Sequence, residues 1–144
     1  MTINGKKRFI KNMNRSGIKI LIVDDDEIIR DLLSKELLKL GVACCSARST
    51  QEALEQISAQ EFSLVISDLR MPGGNGDTLL NSQVFANQKI PLVFMTSLLD
   101  SQEKSLLSRG ALGVIEKPLR MKDLAGLILR DFCTYNAEDP QVRV

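Results

Sequence analysis

Five short apolar runs recur along the chain: "IKILIV" (18–23), "VACCSA" (42–47), "FSLVIS" (62–67), "IPLVFMT" (90–96) and "GVIE" (113–116). The segments between them carry apolar residues at helical spacing instead. A short, nearly uncharged run suits a strand buried on both faces, and such strands occur where helices cover both sides of a parallel sheet. Strand and helix in strict alternation restrict the chain to an α/β fold, because every parallel connection must cross over the sheet. A length of 144 residues suits one such domain with a full core.

The connecting segments fit that reading. From Glu27 to Leu40, Ile28, Ile29, Leu32, Leu33, Leu37 and Leu40 predict an amphipathic helix, and Gly41 is placed to stop it. Ser49 followed by Glu52 is a capping-box pattern that opens a helix through about residue 59. Thr78 to Ala86 predicts a weaker helix, since Asn81, Ser82 and Asn87 have low propensity. A polar helix is expected over 100–109, ended by Gly110, and an amphipathic one from Met121 to Phe132. The expected organisation is a basic N-terminal arm (1–17), a folded unit (18–132) and a tail (133–144).

Composition narrows the chemistry. Nineteen basic residues against eighteen acidic give a net charge of +1, so no global field points to nucleic acid. Lys6, Lys7, Arg8, Lys11 and Arg15 all lie in the arm, which leaves the remainder at −4 (+1 less the arm's +5). No stretch is long and apolar enough to be read as a membrane span, so no membrane role and a cytoplasmic location are expected. Cys44, Cys45 and Cys133 lack metal-ligand spacing and are expected to be reduced. Histidine is absent, which excludes His-based general bases, His-ligated zinc and a histidine phosphodonor on this chain.

Ligands of open parallel sheets bind outside the carboxyl ends of the strands. Four polar signals sit there: "DDDE" (24–27), Asp68, Thr96 with Ser97, and Lys117. Two carboxylates about 4 Å apart repel by roughly 4 kcal/mol at an effective dielectric near 20, so Asp24, Asp25 and Asp68 brought together would need a proton or a cation. An all-oxygen set favours a hard cation such as Mg²⁺, which commonly keeps waters and phosphate oxygens as its other ligands. With a lysine and a hydroxyl added, the set suits phosphoryl transfer to an oxygen nucleophile.

These residues closely resemble the receiver domain of two-component response regulators: "ILIVDDDE" at the first strand, "LVISDLRMPGGNG" at the third, "PLVFMTS" at the fourth and "GVIEKPL" at the fifth. The likeness covers about residues 18 to 132 in the family's order. It implies a flavodoxin-like sheet with strand order 2-1-3-4-5, an order taken from the family and not from the residues. It also implies that Asp68 accepts phosphate from a histidine kinase or phosphotransfer protein, and that Asp24, Asp25, Asp68 and the backbone carbonyl of Arg70 hold Mg²⁺. Thr96 becomes the switch hydroxyl and Lys117 the lysine that pairs with the phosphoryl group, with a cis peptide at Lys117–Pro118. Output is then by protein contacts on the face of the fourth helix, fifth strand and last helix, which allows a homodimer on phosphorylation, and the domain catalyses only its own phosphorylation and dephosphorylation.

Two departures bear on mechanism. Val114 stands where the family usually has Tyr or Phe, and Asn75-Gly76 replaces the usual Asp-Gly. Arg70 and Leu98 occupy positions that tune phosphoryl lifetime in the family. Two alternatives remain open at this point. Asp24-x-Asp26 fits the opening motif of haloacid-dehalogenase-like phosphatases, although Ile28 and the missing later acidic pair do not. A receiver used only as a constitutive binding module is the other.

Overall fold

The strands β1 (Lys19–Val23), β2 (Ala43–Ala47), β3 (Leu64–Asp68), β4 (Leu92–Thr96) and β5 (Gly113–Glu116) form one sheet in the order β2-β1-β3-β4-β5. All four pairings are parallel, and the order is the one the resemblance implies. The computed structural model describes residues 17–71, 74–97, 102–117 and 120–133. The basic arm through residue 16, Leu98, the Lys117–Pro118 peptide and the tail from residue 134 lie outside them.

Burial follows position in the sheet. Every residue of β3 and β4 is buried, as uninterrupted apolar runs require. At the edge, β2 leaves Ala43 and Ser46 exposed. Alternation of side chains then sorts the core into two layers. Ile20, Ile22, Ile66 and Met95 pack with Leu33 and Leu37 of α1 (Glu27–Lys39) and with Leu124 and Ile128 of α5 (Met121–Ile128). Leu21, Val23, Val65 and Phe94 pack with α2 (Thr50–Ala59), α3 (Gln83–Gln88) and α4 (Gln102–Ser108) through Ala53, Ile57, Phe85 and Leu106. Each fully buried Leu or Ile contributes about 1.5–3 kcal/mol relative to the exposed side chain.

The helices begin and end for local reasons. Asp26 caps α1, its carboxylate accepting the Ile28 N–H at 2.9 Å. Gly41, at φ 87°, lets the chain reverse after α1, and the Val42 N–H then closes on the Leu37 carbonyl at 3.0 Å. Ser49 caps α2 by accepting the Glu52 N–H at 3.1 Å. Its capping box is displaced by one residue, for Glu52 accepts from the Arg48 N–H instead of from that of Ser49.

Several expected boundaries move. The predicted helix over 78–86 is a 3₁₀ helix at Gly76–Asn81 followed by α3, because Ser82 leaves helical geometry to cap α3 through the Phe85 N–H. The last helix is α-helical only to Ile128 and continues as a π turn over Leu129–Cys133. The third strand ends one residue later than expected and includes Asp68, since register with β4 pairs Asp68 with Met95. Of the apolar residues at helical spacing in α1, Leu33 and Leu37 are buried whereas Ile28 and Leu32 are 67% and 44% exposed. The stripe that meets the sheet is narrower than the run of apolar residues.

Candidate functional site

Parallel strands in this register finish at a common edge, and the four polar signals meet there. Val23 pairs with Ser67, so Asp24 and Asp68 follow at the ends of neighbouring strands. Thr96 closes β4, and its carbonyl accepts the Lys117 N–H at 2.8 Å just beyond β5. One carboxylate oxygen from each of Asp24, Asp25 and Asp68 lies within 4.8 Å of the other two. Lys117 Nζ stands 3.1 Å from Asp68 Oδ1 and 3.8 Å from Asp24 Oδ2, and so bridges the two buried acids. Asp25 is exposed at the rim.

Asp24 carries most of the electrostatic tension. Its Oδ1 accepts the Asp26 N–H at 2.9 Å, but its buried Oδ2 accepts no hydrogen bond. Burial pushes its carboxyl above the usual aspartate range; the Asp26 N–H and Lys117 oppose that rise, while Asp68 and Asp25 add to it. A buried oxygen without a donor, facing two further carboxylates, fits a hard cation, which would occupy the position where no protein donor reaches. The donor set and its spacing are compatible with an oxygen-ligated metal ion.

The loop after Asp68 is held close beneath it. Ser67 Oγ donates to the Asp68 carbonyl at 2.9 Å, and the Gly76 N–H to the Leu69 carbonyl at 2.8 Å. A Cβ on Gly76 would lie 2.3 Å from the Asp68 carbonyl oxygen and 2.5 Å from Ser67 Oγ, so only glycine fits. Asn75 accepts the Met71 N–H through Oδ1 at 3.2 Å, which gives the Asn75-Gly76 turn a side-chain brace. Arg70 is exposed and lines a cleft of about 280 Å³ with Asn75, Asp77, Ser105 and Arg109. Across it, the Arg109 guanidinium joins the end of α4 to Asp77 Oδ2 and the Asp77 carbonyl, both at 3.3 Å.

Residues 20–129 match the family described as the response regulator receiver domain. The chain belongs to that family. Curated relatives include the DNA-binding transcriptional regulator NtrC of Klebsiella pneumoniae, 30% identical over 81% of this chain and 25% of that protein. Protein PetR of Rhodobacter capsulatus is 34% identical over 78% of this chain and 47% of its own. The chain thus spans from a quarter to about half the length of these relatives. Among solved structures, the chemotaxis protein CheY4 of Vibrio cholerae superposes with a TM-score of 0.71 at 27% identity, covering 79% of this chain and 98% of that one. The response regulator TrrA of Thermotoga maritima, solved in complex with Mg²⁺-BeF, gives 0.67 at 26% identity, with 78% and 97% covered.

Within the receiver fold, the acids of "DDDE" divide their work. Asp24 faces the pocket and Asp25 its rim, while Asp26 is spent on capping α1. That leaves the phosphatase-like Asp24-x-Asp26 pairing without its second acid. Val114 is 4% exposed and belongs to the same layer as Phe94 and Leu106, so it fills core space at the usual aromatic position. Two contacts at the site were not anticipated from the sequence. Arg30 Nη1 donates to the Asp24 carbonyl at 2.7 Å, and Thr50 Oγ1 to the Gly74 carbonyl at 3.2 Å. Neither residue stands out in a linear pattern. Ser67 does, as a hydroxyl inside an apolar run.

Proposed function

We propose that this receiver domain is a phosphorylation-dependent signalling switch, with Asp68 as phosphoacceptor. The observation that carries the reading is the placement of the Asp68 carboxylate, ion-paired with Lys117 and set beside Asp24 Oδ2, which accepts no hydrogen bond. Asp68 Oδ attacks the phosphorus of a phosphohistidine on a sensor histidine kinase or phosphotransfer protein; the P–N bond breaks, its electron pair returns to the imidazole, and the ring nitrogen takes up a proton. Asp24, Asp25, Asp68 and the Arg70 carbonyl would hold Mg²⁺, which would neutralise charge on the crowded carboxylates and the phosphoryl oxygens. Lys117 moves from a carboxylate pair to an acyl-phosphate oxygen, and the Thr96 hydroxyl donates to another. In this reading the domain spans 18–132, is cytoplasmic, and turns over no substrate other than its own acyl phosphate. Signal leaves through protein contacts on the α4-β5-α5 face, including a homodimer on phosphorylation, and not through nucleic acid. Support comes from family membership and from the Mg²⁺-BeF complex of TrrA.

The test is intact-mass spectrometry after incubation with acetyl phosphate, with Mg²⁺ or EDTA, on wild type and Asp68→Asn. A single phosphate adduct that requires Mg²⁺ and disappears in the variant is expected. No adduct on wild type under either condition overturns the switch, and an adduct that persists in Asp68→Asn moves the acceptor elsewhere.

A further inference from the structure

Both buried acids of the site have their own backbone carbonyl tied down by a side chain. From the second turn of α1, Arg30 Nη1 donates to the Asp24 carbonyl at 2.7 Å. From within β3, Ser67 Oγ donates to the Asp68 carbonyl at 2.9 Å. We propose that Arg30 and Ser67 are positioning residues, two clamps that fix the peptide planes of Asp24 and Asp68 and so hold the two carboxylates at the spacing a shared cation needs. The inference rests on the metal and phosphoacceptor reading above and adds residues to it.

Neither clamp is explained by packing alone. Ser67 is 0% exposed, on the face of β3 where Val65 and Leu69 belong to the apolar layer, so an apolar side chain there would avoid burying a hydroxyl. The hydrogen bond offsets that burial by tying down Asp68, and Gly76 leaves the space in which it forms. Arg30 directs its guanidinium to the Asp24 carbonyl, and among the described residues it forms no ion pair with Asp24, Asp25 or Asp68. Like charge drives the Asp24 and Asp68 carboxylates apart, against the pull of Lys117 between them. Holding the backbone resists that drift where holding the side chains would block the ligand atoms. Partners one step behind a metal's ligands act in this way, and their loss weakens the metal by about tenfold or more.

Charge and clamping predict opposite signs for Arg30. If Arg30 acts only as a nearby cation, its removal makes the pocket more negative and Mg²⁺ binds more tightly. If it clamps Asp24, the same change weakens Mg²⁺. The experiment is a calorimetric titration of the full chain with Mg²⁺ alone, for wild type, Arg30→Met, Arg30→Lys and Ser67→Ala, with thermal melts and the rate of phosphate uptake from acetyl phosphate measured in parallel. Arg30→Met is expected to lose about tenfold in Mg²⁺ affinity. Arg30→Lys, which keeps the charge and gives up the guanidinium, is expected to lose affinity too, and it carries the test if Arg30→Met does not fold. Ser67→Ala is expected to slow phosphate uptake roughly tenfold by the same reasoning. Unchanged or tighter Mg²⁺ binding in the Arg30 variants overturns the proposal, as does wild-type uptake by a Ser67→Ala protein that merely melts earlier. If wild type itself neither binds Mg²⁺ nor takes phosphate on Asp68, the functional reading falls and the clamps with it. If wild type does both and the variants match it, only the clamps fall.

Discussion

Asp24→Asn is expected to stabilise the metal-free protein and, in the same step, to remove its response to Mg²⁺. The Asn side chain keeps an oxygen for the Asp26 N–H that now bonds Oδ1, so the local turn survives. What changes is charge. At an effective dielectric near 20, unit charges 4.8 Å apart, the limit that spans the three carboxylate oxygens, interact by about 3.5 kcal/mol. The Asp24–Asp68 repulsion is at least that large, and the Lys117 attraction at 3.8 Å is about 4.4 kcal/mol. These two nearly cancel. What remains is the Asp25 repulsion, weakened by exposure, and the cost of ionising a carboxylate that is 1% exposed. Both disfavour the charged form, so neutralising position 24 is expected to add about 1–3 kcal/mol in EDTA. Mg²⁺ closes or reverses that gap: at a hundred times its dissociation constant it adds about 2.7 kcal/mol to a protein that binds it and nothing to one that does not. Urea unfolding of both proteins in EDTA and in saturating Mg²⁺ reads the change in the gap directly. A variant less stable than wild type in EDTA would refute the reasoning, since it would mean that Lys117 outweighs burial and like charge together.

Further consequences can be checked more simply. In EDTA, the Asp24 penalty is present at neutral pH and is relieved as pH falls through its raised pKa, because the folded state then binds the proton more readily than the unfolded one; the stability gap between wild type and Asp24→Asn should therefore narrow on mild acidification, read by melts across pH. Gly76→Ala places a Cβ 2.3 Å from the Asp68 carbonyl and should cost about 1–3 kcal/mol or more, while also slowing phosphate uptake; a neutral effect on both would show that the loop yields freely. Burial pushes the Cys44 thiol up to about 12, so alkylation of Cys44 at pH 8 should be slow in the native state and fast after denaturation, followed by peptide mass mapping. Arg109→Ala breaks the tie between α4 and Asp77, both about one-third exposed, and should lower stability by less than about 1 kcal/mol in a urea titration.

Much of this fold was legible because its signals are local and repeated. The runs at β1 and β4 are apolar at the centre that a doubly covered sheet buries, β3 departs from this at Ser67, and the polar groups Asp24, Asp68 and Thr96 fall at the carboxyl ends of these strands. Boundaries were less legible where two local preferences compete. Ser82 is a poor helix residue and a good cap, so a single expected helix became a 3₁₀ helix and a short α-helix. In α1 the apolar residues outnumber those the sheet can cover, and nothing in their spacing says that Leu33 and Leu37 would be chosen over Ile28 and Leu32.

By itself the sequence determined the α/β class, the acids at the strand ends and the absence of any histidine chemistry, since residue type, run length and charge depend on no partner. The strand order came with the family's motifs. Only the tertiary structure decided which contacts act at the site. Strands far apart in the chain bring Asp24 and Asp68 to within 4 Å of the Lys117 nitrogen, and that packing leaves Asp24 Oδ2 buried without a hydrogen-bond donor. The same closure brings Arg30 onto the Asp24 carbonyl and sets Gly76 against Asp68. Distances of a few ångströms between residues that are distant in sequence follow from register and crossover packing, and no local pattern encodes them.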